Sequence, residues 1–240
     1  MHYESGRRFG ANKIYQKLYS QGIISSLKKI SSLMRQLNLK SKRRKHPTKT
    51  AATNKPTTFY YKNKLKQNFT QSRPNVFLVG DVTEVKINST RFYICVVMVL
   101  FSRRVVGYRV SSQNDSALTV NTFKDAFEFR KKPSGLSFHS DQGTNYTSVE
   151  YEDLLRALKV EQSLSQAGTP YDNSVIEGFF SNFKQEDLNN CEFEHFDELV
   201  AVVDRYMNYY NSYRPHQHLG YLSPIEYENE YYKNLHFEPF

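Results

Sequence analysis

Only two of the 240 residues are cysteine and none is tryptophan. Cys95 and Cys191 lie far apart, with no neighbouring cysteine and no metal-ligand spacing, which excludes a disulfide framework and a zinc site and leaves reduced thiols. Cys95, inside an apolar run, reads as a small core residue. No run of about 18 apolar residues exists, and the longest, 92–101, is strand-sized, so no membrane span is expected. The opening MHYESGRRFG lacks the apolar segment of a secretory signal. The most uneven absence is of acid. Residues 1–74 hold one carboxylate, Glu4, against 18 Lys and Arg, a net charge of +17, while residues 75–240 carry a net −8 within the overall +9. A basic third on a mildly acidic body points to a polyanionic partner. Nucleic acid is favoured over a membrane surface, because the basic region has no long amphipathic face with bulky apolar anchors.

Hydrophobic residues make up 39% of the chain and aromatics 15%, enough for a packed α/β core with a smaller unit beside it. In 9–21, Ile14 and Leu18 recur at helical spacing and Gly22 supplies a stop. Ser25 or Ser26 then caps a second helix with Leu27, Ile30, Met34 and Leu37 on one face. Two short basic helices around a glycine turn read as a helix-turn-helix-like DNA-binding domain over 1–46; the alternative is a helical hairpin docked on the main body. A basic linker is expected over 47–74. Lys42, Arg43, Arg44 and Lys45 form the densest cluster at its start and are expected to meet phosphates.

From Asn75 the pattern changes. Three β-branched runs at 76–87, 91–100 and 103–110 suit antiparallel hairpins. They are followed by a helix at 116–130, a strand LSFHS, a helix near 147–158, a strand at 160–165, a long helix from about 173 to 187 and another near 197–213 ending before Pro215. The order β-β-β-α-β-α-β-α predicts an α/β fold, a ribonuclease-H-like mixed sheet flanked by helices, over 75–190, with a C-terminal helical extension over 191–240.

Within that order Asp81 falls mid-strand in FLVGDVTEV, where an acid costs several kcal/mol to bury unless it is paired or ligates a cation. Asp141 ends the fourth strand, the expected neighbour of the first, and Gly143 is expected to turn the chain away. Glu177 lies one turn into the helix beginning near Asn173, on the face of Phe180 and Lys184. Three carboxylates from three elements suit two Mg²⁺ ions about 3.5–4 Å apart, the arrangement that serves in-line phosphoryl displacement. Glu84, a fourth acid nearby, should point to the opposite strand face.

The segments DVTEV (81–85), FHSDQGTNYTS (138–148) and YDNSVIEGFFSNFKQE (171–186), with the tail YYNSYRPHQHLGYLSPIEYE (209–228), resemble bacterial insertion-sequence transposases. The likeness is to the second-reading-frame (OrfB) type, whose DDE core is shared with retroviral integrases. RRFGANKIYQKLYSQG and ISSLMRQLNLKSKRRK resemble that family's upstream helical domain more loosely. The chain departs from the family in lacking the tryptophan often found shortly before the first aspartate; Phe77 and Val79 stand there instead.

The resemblance implies a DNA transposase that cleaves at transposon ends and transfers strands without a covalent protein intermediate. Asp81, Asp141 and Glu177 would be the catalytic and metal-binding triad, with two Mg²⁺ ions or Mn²⁺ in their place. Lys184 would touch DNA near the scissile phosphate. Arg214 is a further DNA-contact candidate, though Arg214, Pro215 and His216 also suit positioning of the last helix. His139 either orients Asp141 or a phosphate, or is a satisfied strand-end histidine; Asn173 either supports the site or caps the helix. The implied partners are inverted-repeat ends, target DNA, a first-reading-frame partner protein or a fused longer form, and further copies of the chain on DNA, with no membrane. The implied location is the bacterial cytoplasm, in association with the nucleoid. A non-catalytic DNA-binding regulator and a nuclease acting on RNA–DNA hybrids are the competing readings.

Overall fold

In the computed structural model, which describes residues 1–42, 62–166 and 169–235, the three apolar runs after Asn75 form a meander. These strands are β1 (Phe77–Ile87), β2 (Thr90–Val99) and β3 (Val105–Ser111). Asn88 and Ser89 both adopt positive φ, 46° and 73°, which matches the strand twist in a two-residue hairpin. Two short strands, β4 (Ser137–Ser140) and β5 (Glu161–Leu164), add in parallel on the other side, giving the order β3-β2-β1-β4-β5. The mixed sheet expected from the element order is therefore present, with β1 at its centre.

Helices cover both faces. On one side lie α3 (Ser116–Phe129) and α4 (Val149–Ala157), started by Asp115 and Ser148, which accept from the Leu118 and Tyr151 N–H groups. Phe123, Phe127, Phe138, Tyr146 and Tyr151 fill the space beneath them. On the other side lie α5 (Ser174–Glu186) and α6 (Phe196–Ser212), where Ile176, Phe179, Phe183, Leu199, Val203 and Tyr206 pack on Val79, Ile94, Val96 and Met98. The expected boundary at residue 190 does not interrupt this core, because α6 is part of it.

Several details differ from expectation. Residues 62–69, assigned to the linker, dock on the sheet: Leu65 is buried in the core, and Asn63 and Gln67 each donate to the Asp172 carboxylate. Phe69 packs against the same core, the Lys64 N–H donates to Ser163 and Arg103 donates to the Phe69 carbonyl, which together hold a stretch that is otherwise polar. Val149, the first residue of α4, is exposed, whereas Tyr151 is fully buried. A helix not expected individually, α7 (Pro224–Leu235), follows the tail motif. It begins with a reciprocal cap, the Ser223 N–H donating to Glu226 and the Glu226 N–H to the Ser223 hydroxyl.

At the N-terminus α1 (Ala11–Ser20) and α2 (Leu27–Gln36) pack through Phe9, Ile14 and Ile30. Ser26 caps α2 by accepting from the Lys29 N–H. Leu27 and Leu37 remain exposed, so its buried stripe is narrower than expected. The pair docks on the main body, where the Arg8 side chain donates to Asp187 at 2.9 Å and stacks over Tyr209.

Two glycines have opposite consequences. At Gly107 a Cβ would come within 2.7 Å of the Thr122 carbonyl oxygen of α3, whereas at Gly178 in α5 it would meet nothing within 4 Å. Gly107→Ala is therefore expected to destabilise the fold by about 1–3 kcal/mol. Gly178→Ala should stabilise it by about 0.5–1 kcal/mol. Urea unfolding midpoints of the two variants check both signs.

Candidate active site

Asp81 lies on the β1 face that carries Val79 and Val85, the face covered by α5. The parallel register Val79↔His139 sets the continuation of β4 beside the continuation of β1, so Asp141 emerges next to Asp81. Gly80, pointing the other way, must be a glycine, since a Cβ there would sit 2.5 Å from the Phe138 ring. The aromatic layer beneath β1 and β4 thus holds the middle of β1 against the end of β4, where the two acids lie.

One oxygen of each aspartate is fixed by the backbone. The Val82 N–H donates to Asp81 at 2.8 Å and the Gly143 N–H to Asp141 at 3.0 Å. Gly143, expected to turn the chain away, does so without a positive φ. Its lack of a side chain matters instead, since a Cβ would crowd the Asp141 carboxylate at 3.0 Å. Glu177 stands exposed in the first turn of α5.

The three carboxylates feel one another. Burial, then the Asp141 charge, pushes the Asp81 carboxyl up to about 7 against the pull of the Val82 N–H, and Glu177 adds to the rise. Burial raises the Asp141 carboxyl. Burial and Asp141 raise that of Glu177. Lys184 is the cation on this face: burial lowers its ammonium, while Asp81 and Glu84 hold it up. Glu84 points to the opposite strand face, as alternation requires, and pairs with Arg91 at 3.5 Å.

An all-oxygen, mutually repelling donor set fits a hard divalent cation, which would relieve the repulsion. Among the described residues, no group of three or more His, Cys, Asp or Glu side chains, as they stand, is placed to hold a metal ion. Asp81 and Asp141 form the fixed part, and Glu177 is the exposed, rotatable member.

His139 has the contacts of a satisfied buried histidine. Its Nε2 faces the Asp172 carbonyl at 3.1 Å, so that nitrogen carries the proton, and its Nδ1 accepts from the Ser163 hydroxyl at 2.8 Å. The Ser163 oxygen in turn accepts from the Lys64 N–H. Burial lowers the imidazole. His139 thereby ties β4 and β5 to the turn that launches α5. Asn173 does not cap α5 with its side chain, and its Oδ1 is buried without a partner among the described residues.

The DNA-contact candidates divide. Arg214 is buried and spends its guanidinium on Glu186, with Nη2 at 2.8 Å and Nε at 3.0 and 3.1 Å, so its assignment to DNA is corrected to a structural one. Burial would raise the Glu186 carboxyl, but Arg214 overrides it and holds the group below its usual range. Lys42 is partly buried and donates to the Glu186 carbonyl at 2.6 Å, which places it at the seam with α5 and not on an open arm. Arg43, Arg44 and Lys45 lie outside the described residues. Sequence reasoning missed Asp172, which accepts from Asn63, Gln67 and the Gln166 N–H. It also missed Glu228, which anchors α7 to Ser102, Arg104 and Arg130. Their partners are remote in sequence, so no local spacing announces them.

Fold and site together define a polynucleotidyl transferase with an integrase-type core. The integrase core domain family matches residues 71–170, a second integrase core domain family matches 158–224, and the HTH-like domain family matches 1–47. The chain is 32% identical to the transposase for insertion sequence element IS904 of Lactococcus lactis subsp. lactis (strain IL1403), over 94% of this chain and 89% of that one. It is equally identical to the transposase InsF for insertion sequence IS3A of Escherichia coli (strain K12), over 96% and 79%. The chain belongs to this family of insertion-sequence transposases. Among solved structures, the HTLV-2 integrase catalytic core domain in complex with magnesium aligns at a TM-score of 0.52 and 19% identity, covering 65% of this chain and 98% of that one. A simian T-cell lymphotropic virus intasome aligns at 0.55 and 15% identity, over 89% and 73%. Both are likenesses of fold.

Two outcomes are expected. Arg214→Met strands the buried Glu186 charge and should lower unfolding stability by about 3 kcal/mol in urea titrations. The Asp81 carboxyl, ordinarily near 3.8, titrates near 7 in the folded chain, so the metal-free fold loses stability as pH rises from about 4 to 7. Asp81→Asn should therefore exceed the wild type by up to about 4 kcal/mol at pH 8 in EDTA and match it at pH 3, as read by denaturant unfolding.

Proposed function

We propose that Asp81, Asp141 and Glu177 are the catalytic metal ligands with which this transposase cleaves DNA at the ends of its element and transfers the freed strand. The observation that carries this reading is the β1–β4 register, which sets Asp81 beside Asp141 while α5 brings Glu177 into electrostatic range of both. The proposed ions are two Mg²⁺, with Mn²⁺ able to substitute. When bound they would polarise the scissile phosphoryl group and lower the pKa of an attacking water or 3′-hydroxyl.

The chain's own contribution is placement. The Val82 and Gly143 N–H groups hold the two aspartates in fixed rotamers, and the burial of α5 limits where Glu177 can reach. Lys184, on the Asp81 side of α5, supplies positive charge for a neighbouring DNA phosphate.

The substrates in this reading are the inverted-repeat ends and a target duplex. The working form is an assembly of several copies on DNA, since two ends must be held together, and a first-reading-frame partner protein or a fused longer form adds end recognition. The setting is the cytoplasm, at the nucleoid. Among the described residues no helix is long and apolar enough to cross a membrane.

Asp81→Asn, Asp141→Asn and Glu177→Gln are each expected to reduce Mg²⁺-dependent cleavage of an end-bearing oligonucleotide by at least about 10³-fold while duplex binding is retained. Substantial cleavage surviving in any one of them would remove that residue from the triad. Equal cleavage of an RNA–DNA hybrid would move the activity to a different substrate class.

A further inference from the structure

Where the N-terminal helices meet the C-terminal end of α5, two acids lie among more cations than they can balance. Glu186 and Asp187 face Arg8, Lys13, Lys42, Arg205 and Arg214, five positive charges against two negative. A cavity of about 420 Å³ opens at this seam. Gly10, Ala11 and Ser41 also line a second groove, which carries Arg35 and Lys40.

We infer that this seam is a binding site for a phosphodiester of the DNA backbone, distinct from the Asp81 site, which clamps the N-terminal helices to α5 when DNA is bound. The inference rests on the DNA-acting function proposed above.

Arg214 saturates Glu186 and Arg8 is engaged by Asp187, so neither is the principal ligand. Lys13 reaches Glu186 only at 3.5 Å, at an oxygen that already accepts from Arg214 at 2.8 Å. Lys42 spends one bond on the Glu186 carbonyl. An ammonium carries three N–H donors, so both lysines have donors left for an anion. The start of α1 lines the same cavity. Its N-cap, Gly10, makes no side-chain cap, and its first turn holds no acid, which leaves the helix amides for an incoming oxygen. Gln185 also lines the cavity, with its Nε2 buried and without a partner among the described residues.

The electrostatics agree. Burial, then Arg214, lowers the Lys13 ammonium to about 8, and Glu186 only partly offsets this. The groups facing Lys13 are Glu186 and Gln185 from α5, Asp187 beyond it, Arg8 and Lys42 from the N-terminal unit, and Arg214 and His216 from the tail. A bound phosphate would hold the Lys13 proton, so affinity should fall as pH rises through about 8.

Fluorescence anisotropy with a labelled duplex, titrated against salt and pH, tests this. Lys13→Gln is expected to bind about 5–10-fold more weakly at 0.1 M salt, with the slope of log affinity against log salt reduced by about 1. Lys13→Arg should bind like the wild type at pH 7 but escape the loss above pH 8, because its charge does not titrate. Inorganic phosphate, exchanged for chloride at constant ionic strength, should compete with DNA on the wild type and lose that effect in Lys13→Gln. An unchanged affinity and salt slope in Lys13→Gln overturns the site. So does a Lys13→Arg profile that still falls above pH 8, which remains decisive even if Lys13→Gln melts early. Phosphate binding that depends on Lys13 while duplex affinity does not would reassign the seam to free phosphate and overturn the DNA assignment. A wild type that bound no duplex at all would sink the DNA-acting function together with this site, whereas duplex binding indifferent to Lys13 sinks the site alone.

Discussion

The burial of α5 against the central sheet is the constraint on which both the candidate carboxylate site and the seam with the N-terminal helices depend. Ile176, Phe179, Phe180 and Phe183 recur at helical spacing and are removed from water on Val79, Val96 and Met98. Fixing that stripe fixes everything else on the helix. Glu177 at its start is left exposed near the middle of β1 and the end of β4, with Lys184 two turns along the same side. Glu186 at its end is forced inside, 6% exposed, where a carboxylate survives only if cations come to it.

That second consequence explains the tail. The stretch around Arg214 is folded back so that its guanidinium can take both Glu186 oxygens, with the Tyr206 hydroxyl donating as well. Glu228 repeats the arrangement on the opposite face of the sheet, gathering Ser102, Arg104 and Arg130 and so fixing α7. A tail motif that reads like a DNA-contact element is therefore, in its buried part, a pair of ionic clasps. Breaking either one would strand a charge in an apolar setting, which costs more than the pair contributes while intact.

The N-terminal helices bury only Phe9, Ile14 and Ile30 between them, a small core for an independent unit. Their attachment through Arg8 and Lys13 to the end of α5 compensates, and it links the basic third of the chain to the helix that carries Glu177. An anion held at that seam would tighten the connection, because it would complete a charge balance that the protein alone leaves positive.

Much of this could be read without a structure. The meander and the alternation of later strands and helices follow from local hydrophobic period, and Asp81 stands out as a charge where an apolar run should continue. Such signals are contained within a few residues, so the sequence by itself determines the elements and the oddity of Asp81. Tertiary structure alone decided which polar groups satisfy one another. Arg214 lies 28 residues from Glu186, His139 lies 33 from the Asp172 carbonyl, and Asn63 lies 109 from the Asp172 carboxylate. Nothing in local spacing distinguishes a buried, paired arginine from one that faces a phosphate, because the difference lies in desolvation, and desolvation is a property of the packed chain.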